Sequence, residues 1–189
     1  MTRIISGAVG GRRIEAPDGR TTRPTSDRAR EALFASVRSD LGDLEGTRVL
    51  DLYAGSGAVG LEALSRGAAH ALLVEADTRA ARVVRGNIAL LGLPGARLAA
   101  DRVERVLAGG NPEEPYDLVF ADPPYAVTDD TVAAVLADLV ERGWLARDAV
   151  VVVERSKRGA APPWPEGLEF DRKRGYGEAV LWYARPAAG

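Results

Sequence analysis

Four acids, Asp51, Glu75, Asp101 and Asp122, stand 24, 26 and 21 residues apart, and each closes a short apolar run. Each interval has room for one helix, one strand and the turns between them, so the pattern predicts a chain that alternates β and α. Strands are expected at 47–53, 70–75, 96–100, 116–121 and 149–154, with helices at 57–66, 78–91, 102–108 and 129–142. Consecutive parallel strands need a crossover long enough to hold a helix, so this rhythm builds a parallel sheet covered on both faces. Ala149-Val150-Val151-Val152-Val153 is apolar at every position, as a strand covered on both sides must be. Two more strands, 168–174 and 178–184, flank Gly175-Tyr176-Gly177 and read as an antiparallel hairpin. The expected fold is α/β, a doubly wound, seven-stranded, mainly parallel sheet. Ahead of it, 3–6 and 12–14 read as a small β-hairpin turning through Gly7 and Gly10-Gly11, followed by a Pro/Gly loop at 15–24. A helix is expected to start at Thr25 or Ser26, with Asp27 in its first turn, where the helix dipole favours an acid. The chain therefore divides into an extension, 1–24, and a sheet domain, 25–189.

In such a sheet, ligands bind outside the carboxyl ends of the strands, which places all four acids along one crevice. The first loop, Asp51-Leu52-Tyr53-Ala54-Gly55-Ser56-Gly57-Ala58-Val59-Gly60, contains G-x-G-x-x-G, with Glu75 at the distance expected of a ribose ligand. Taken alone, that is the dinucleotide fingerprint of a nicotinamide-dependent oxidoreductase. Charge argues against it, because a pyrophosphate would lie close to Asp51. S-adenosylmethionine carries a sulfonium and an ammonium group instead, and carboxylates stabilise both. The last strand-end acid opens Asp122-Pro123-Pro124-Tyr125. Two prolines fix φ and remove two backbone donors, leaving carbonyl oxygens, a carboxylate and a ring. Such a platform suits a flat ligand that presents an amino group, such as a nucleobase.

Composition removes several chemistries. The chain has no Cys and a single His, His70, so neither a Cys/His zinc site nor a thiol nucleophile can be built, and no metal is expected. His70 enters a strand and reads as a strand-edge residue. Absence of Cys, of a signal-peptide pattern and of any run of 18 apolar residues points to the cytoplasm and away from a membrane. The net charge of −2 is unevenly spread: residues 1–38 hold eight Arg against four acids, residues 39–154 ten against nineteen, and residues 155–174 six Arg or Lys against three. A basic leading segment on an acidic body is a plausible nucleic-acid footprint, and its Arg content favours bidentate phosphate contacts. Arg30 shares a helical face with Ala29, Leu33 and Val37, and reads either as a snorkelling side chain or as one making a salt bridge or contacting the cofactor carboxylate.

D-x-x-A-G-S-G at 51–57, Glu75, Asp101 and Asp-Pro-Pro-Tyr at 122–125 resemble a class I S-adenosylmethionine-dependent methyltransferase acting on an exocyclic amine. Arg3-Ile4-Ile5-Ser6-Gly7, Gly11-Arg12, Arg23-Pro24-Thr25, Asp27-Arg28 and Arg30-Glu31 narrow the resemblance to the bacterial family that methylates guanine N2 in 16S ribosomal RNA. The resemblance implies a cofactor site of Asp51, Ala54, Gly55, Ser56, Gly57, Glu75, Asp101 and Asp122. In it, Asp51 faces the ammonium, Glu75 the ribose and Asp101 the adenine amino group. It implies Asp122, Pro123 and Tyr125 as the catalytic set, with Asp122 and the Pro123 carbonyl on the guanine N2 hydrogens and Tyr125 stacked on the base. It implies RNA contacts by Arg3, Arg12, Arg13, Arg23, Arg28 and Tyr125, with the 16S RNA of a small ribosomal subunit or assembly intermediate as partner. Competing readings are an adenine-N6 or glutamine-N5 methyltransferase, and a non-catalytic RNA-binding protein on the same fold.

Overall fold

The computed structural model describes residues 2–18 and 26–189. Arg23 and Thr25, singled out above, lie outside them. Strands β1 (Thr2–Arg3) and β2 (Arg13–Ile14) pair antiparallel as a two-stranded ribbon, shorter than the sequence pattern predicts. Helix α1 (Asp27–Leu41) is capped by Ser26, whose side chain accepts from the Ala29 N–H at 3.1 Å. Then follow β3 (Arg48–Leu52), α2 (Ala58–Ser65), β4 (His70–Val74), α3 (Thr78–Leu91), β5 (Ala96–Ala99), α4 (Val103–Ala108), β6 (Tyr116–Ala121), α5 (Asp129–Glu141), β7 (Leu145–Ser156), β8 (Leu168–Tyr176) and β9 (Ala179–Pro186).

Seven strands form one sheet in the order β5-β4-β3-β6-β7-β9-β8. Strands β3 to β7 are mutually parallel, and β9 runs antiparallel between β7 and β8. The chain leaves β3 outward through β4 and β5, then returns to the other side of β3 as β6. That reversal makes the carboxyl ends of β3 and β6 the topological switch point, where a crevice opens.

Strand alternation divides the core. Val49, Leu118, Phe120, Val150 and Val152 face α1, α2 and α3 through Leu33, Phe34, Leu61 and Val84. Leu50, Leu52, Val119, Ala121, Val151 and Val153 face α4 and α5 through Leu107, Val132, Leu136 and Leu139. Full burial of one such side chain contributes about 1.5–3 kcal/mol. Strand β7 starts earlier than predicted, at Leu145, and its register with β6 shifts between Tyr116 and Leu118. The final hairpin is longer than predicted: Gly175 and Tyr176 pair with Val180 and Ala179 and belong to the ladder. Among the described residues no helix is long and apolar enough to cross a membrane.

The extension packs into the same core, with Ile4 and Ile14 buried beside α1 and α2. Glu62 of α2, itself fully buried, accepts from the N–H groups of Ile5 at 2.8 Å and Ser6 at 3.0 Å. Ala8 N–H reaches the Ser65 carbonyl at 2.7 Å, and a Cβ on Gly7, at φ +88°, would lie 1.9 Å from that oxygen, so only glycine fits. Arg30 is fully buried, 3.4 Å from Glu62 and 3.3 Å from Asp27, and donates to the Arg3 carbonyl. Its role is a buried ion pair joining α1, α2 and the extension, which replaces the snorkelling and cofactor-carboxylate readings. Burial pulls the guanidinium below its usual range, and Glu62 and then Asp27 oppose that shift.

Candidate active site

Asp51 sits within β3, one residue before its end, rather than after it. Because Leu50 and Leu52 point toward α4 and α5, Asp51 points toward α2. It is 2% exposed, and its Oδ2 accepts from the Gly60 N–H at 2.9 Å. Burial pushes its carboxyl up to about 8; the Gly60 bond opposes this and the neighbouring Glu75 charge adds to it. Among the described residues no cation is among the groups that shift it.

The loop that follows turns through unusual backbone. Tyr53, Gly55 and Gly57 have φ of +61°, +63° and +84°. The Ala54 N–H reaches the Val74 carbonyl at 2.9 Å, and the Gly57 N–H reaches the Ala54 carbonyl at 2.8 Å. A Cβ on Gly57 would lie 2.9 Å from Leu73 Cδ2, so the helix can start this close to β4 only with glycine there. Glu75, the first residue past β4, accepts from the Gly55 N–H at 2.7 Å through Oε1 and from the Asp77 N–H at 2.9 Å through Oε2. The loop is thus moulded onto a carboxylate, with each Glu75 oxygen accepting from a backbone N–H. Asp101 lies two residues past β5 and is half exposed; its Oδ1 accepts from the Arg102 N–H at 2.7 Å and lies 3.7 Å from Arg105.

Asp122 is the first residue past β6, and its N–H points at the Leu52 carbonyl at 3.5 Å, which ties the β6 exit to the β3 exit. Pro123 and Pro124 are half-buried, while Tyr125 is 98% exposed. A turn closed by the Val127 N–H on the Pro124 carbonyl, at 2.9 Å, holds this segment before α5. The platform and the glycine loop are therefore neighbours across the switch point.

The basic residues divide. Arg3 and Arg13 are opposite one another on the ribbon, and they line a cavity of about 250 Å³ with Thr2 and Asp27. Arg3 meets Asp27 at 3.6 Å, so the carboxylate offsets part of the positive charge of this cavity and Arg13 is left as its second cation. Arg12 is turned away, donating to the Leu90 carbonyl at 3.1 Å. Arg28 is exposed on the first turn of α1. His70 lies at the opposite, amino end of the strands, with Nε2 3.1 Å from the Tyr116 hydroxyl, and burial lowers its pKa.

Two residues escaped the sequence reading. Asn87 of α3 is 2% exposed; its Oδ1 accepts from the Glu15 N–H at 2.9 Å, and its Nδ2 donates to the carbonyls of Glu15 at 2.9 Å and Ser56 at 2.8 Å. It fixes the extension's exit against the glycine loop, so the Arg3–Arg13 cavity belongs to the same end of the molecule. A polar residue at the apolar spacing of Ala80, Val84 and Leu91 was the available signal. Tyr53 has a buried hydroxyl with no hydrogen-bond partner among the described residues, and burial raises its pKa. Nothing in its sequence context announces that strain.

Comparison with known proteins is consistent with this layout. Residues 2–185 match the family model described as Conserved hypothetical protein 95. The ribosomal RNA small subunit methyltransferase D of Escherichia coli (strain K12) is 36% identical over 190 residues, 99% of this chain and 91% of that protein. The solved structure of yhhF from Escherichia coli is 33% identical, with TM-score 0.84 over 99% of each chain. The solved structure of a hypothetical protein from Thermus thermophilus is 34% identical, with TM-score 0.80 over 97% of this chain and 98% of that one.

Proposed function

The chain belongs to the bacterial 16S ribosomal RNA methyltransferase family matched by the model Conserved hypothetical protein 95, and from that premise we propose that it methylates a guanine N2 amine in 16S ribosomal RNA. The observation that carries this reading is the juxtaposition of two units across the β3–β6 switch point. One is a glycine loop over two buried carboxylates, and the other is an acceptor-rich platform ending in an exposed ring.

The first unit fits S-adenosylmethionine. Asp51 and Glu75 are both buried, repulsion between their charges adds to burial in favouring the protonated form of Asp51, and among the described residues no cation is among the groups that shift it. A cationic ligand relieves that repulsion, whereas a pyrophosphate would intensify it, which disfavours the oxidoreductase reading. Gly55 and Gly57 keep the backbone close to the ligand, Glu75 offers lone pairs to ribose hydroxyls, and Asp101 is placed for the adenine amine. When bound, the cofactor supplies a methyl group activated on sulfonium, so the protein needs no nucleophile of its own.

The second unit does the positioning. Guanine N2 is a poor nucleophile because its lone pair is delocalised into the ring. Asp122 and the Pro123 carbonyl accept its two hydrogens, which turns the lone pair out of the ring plane and toward the methyl carbon. As N2 accepts the methyl group, Asp122 would take the proton that N2 gives up along the same hydrogen bond. Alignment of this kind is worth up to about 7–11 kcal/mol. The base must be unstacked or single-stranded to enter, and Tyr125 stacks on it, returning roughly 1–3 kcal/mol. Arg3 and Arg13 take backbone phosphate.

The test is methylation of small ribosomal subunits that lack the modification, with labelled cofactor, followed by mapping of the labelled base and atom. Label on guanine N2 is expected. Label on adenine N6 or on a protein glutamine would transfer the reading to one of the alternatives, and no label at all would leave a binding protein.

A further inference from the structure

The final hairpin carries side chains that the cofactor and platform do not use. Strand β8 is the sheet edge, bonded only to β9. Phe170 on it is 51% exposed, and its ring lies 5.7 Å from that of Trp182 on β9, tilted by 52°. The Lys173 ammonium sits 4.8 Å from the centre of the Trp182 ring. Edge strands usually cover or charge their exposed side, and β8 does carry Arg172, Lys173 and Arg174. A half-exposed phenylalanine amid those charges is not needed for that defence.

The sheet register relates this patch to the platform. Ala121 of β6 is opposite Val153 of β7, Val153 is opposite Trp182, and Trp182 is opposite Lys173. This row lies one residue below Asp122. Strands are spaced ~4.8 Å apart, so the backbone of Lys173 is roughly 14 Å from that of Ala121. Directly opposed residues share a face, so Trp182 stands on the face of Val153, toward α5. The platform loop leads into α5 on that same face, where Asp129 meets Arg155 of β7 at 2.5 Å. Phe170 lies two residues further from the carboxyl edge, in the row of Ala184, Val151 and Val119, so Tyr125 and the Phe170–Trp182 pair share one face of the sheet, with Trp182 and Lys173 between Phe170 and that edge.

We propose that Phe170, backed by Trp182 and with Lys173 beside it, is a second stacking site for an unpaired nucleotide flanking the methylated base. The proposal rests on the RNA reading above and extends it to a surface outside the target pocket. Residues 155–174 hold six Arg or Lys against three acids; Arg155 pairs with Asp129, and Arg172 with Asp40 and Asp171, which leaves Lys157, Arg158, Lys173 and Arg174 against Glu166 and Glu169, a balance that still favours a polyanion. An exposed ring tolerates any base, while Lys173, over the neighbouring Trp182 ring, meets its phosphate. The same row of charges makes a second copy of this chain, pairing edge to edge, a poor occupant.

Kinetics on undermodified small ribosomal subunits with the full chain test the proposal. Phe170→Ala is expected to raise KM for subunits about fivefold to tenfold, with the effect on KM and not on kcat, as loss of one stacked base requires. Phe170→Tyr restores KM, and Phe170→Leu, which keeps the packing but not the ring, does not. Lys173→Gln reduces the slope of log affinity against log salt by about one. Unchanged KM in Phe170→Ala, rescue by Phe170→Leu, or a change in oligomeric mass on substitution overturns the proposal while leaving the guanine reading intact. If the wild-type protein fails to bind subunits, both fall together.

Discussion

If the cofactor's ammonium faces Asp51 as proposed, the raised carboxyl should make its binding release a proton. Burial holds it at about 8, against an ordinary value of 3.8. The ligand-free fold therefore disfavours the ionised form by on the order of 5 kcal/mol, at 1.36 kcal/mol for each pKa unit. A group whose folded pKa is raised contributes stability that is present below its unfolded pKa and lost as pH rises through the folded one. The ligand-free protein should thus lose on the order of 3–4 kcal/mol between pH 5 and 8, a fall in thermal midpoint of about 10 °C. A cation over Asp51 reverses the preference. At pH 7 about nine-tenths of ligand-free molecules carry the proton, so binding releases up to about 0.9 proton, and affinity rises up to tenfold per pH unit before levelling above pH 8. Calorimetry in buffers of different ionisation enthalpy counts that proton. The only histidine lies at the other end of the sheet, away from the cofactor crevice, and its lowered pKa makes stability rise with pH below about 6.5, opposite in sign to the effect of Asp51. Asp51→Asn keeps an acceptor for the Gly60 N–H and cannot ionise, so it sets the baseline for any proton the cofactor itself exchanges. Its ligand-free midpoint should stay flat where the wild type falls. Equal proton counts in the two proteins, or parallel midpoint curves, would show that Asp51 is not the linked group.

Asp122→Ala should abolish methyl transfer while the cofactor still binds by calorimetry; loss of both would reassign Asp122 to the cofactor. Tyr125→Ala should raise KM for RNA at an unchanged melting temperature, because the ring is 98% exposed, and unchanged kinetics would remove the stacking role. Gly57→Ala sets a Cβ 2.9 Å from Leu73 Cδ2 at a φ of +84°, and should cost about 1–3 kcal/mol in urea unfolding together with cofactor affinity. Arg30→Ala strips a buried partner from Glu62 and should lower stability by about 3–5 kcal/mol, read from the urea midpoint.

What the sequence made legible was local. The βα rhythm, the glycine loop and the Asp122 tetrapeptide depend on periodicities and turn chemistry within one unit, and the structure places them at one edge. What stayed hidden depended on partners far along the chain. Arg30 and Asn87 announce themselves as polar residues at apolar spacing, but the Asn87 partner Glu15 is 72 residues away, and no local rule names it. The early start of β7 was missed because Arg147-Asp148 interrupts the apolar run, and pairing with β6 resumes only beyond that interruption. Gly175 reads as a turn by propensity, yet its pairing with Val180 holds it in the ladder.

The position of β9 dictates an order of assembly. It follows β8 in the chain but stands between β8 and β7, so β8 has no place in the sheet until β9 exists. Strand β8 can join only with β9 or after it, and a local hairpin of the two, which forms in microseconds, is the quickest way for them to dock on β7. Until they do, the edge of β7 with its run from Val150 to Val153 stays open to pairing with another chain, the situation in which folding intermediates aggregate. Substitutions along 179–186 should therefore reduce the yield of folded protein during synthesis before they alter the finished molecule.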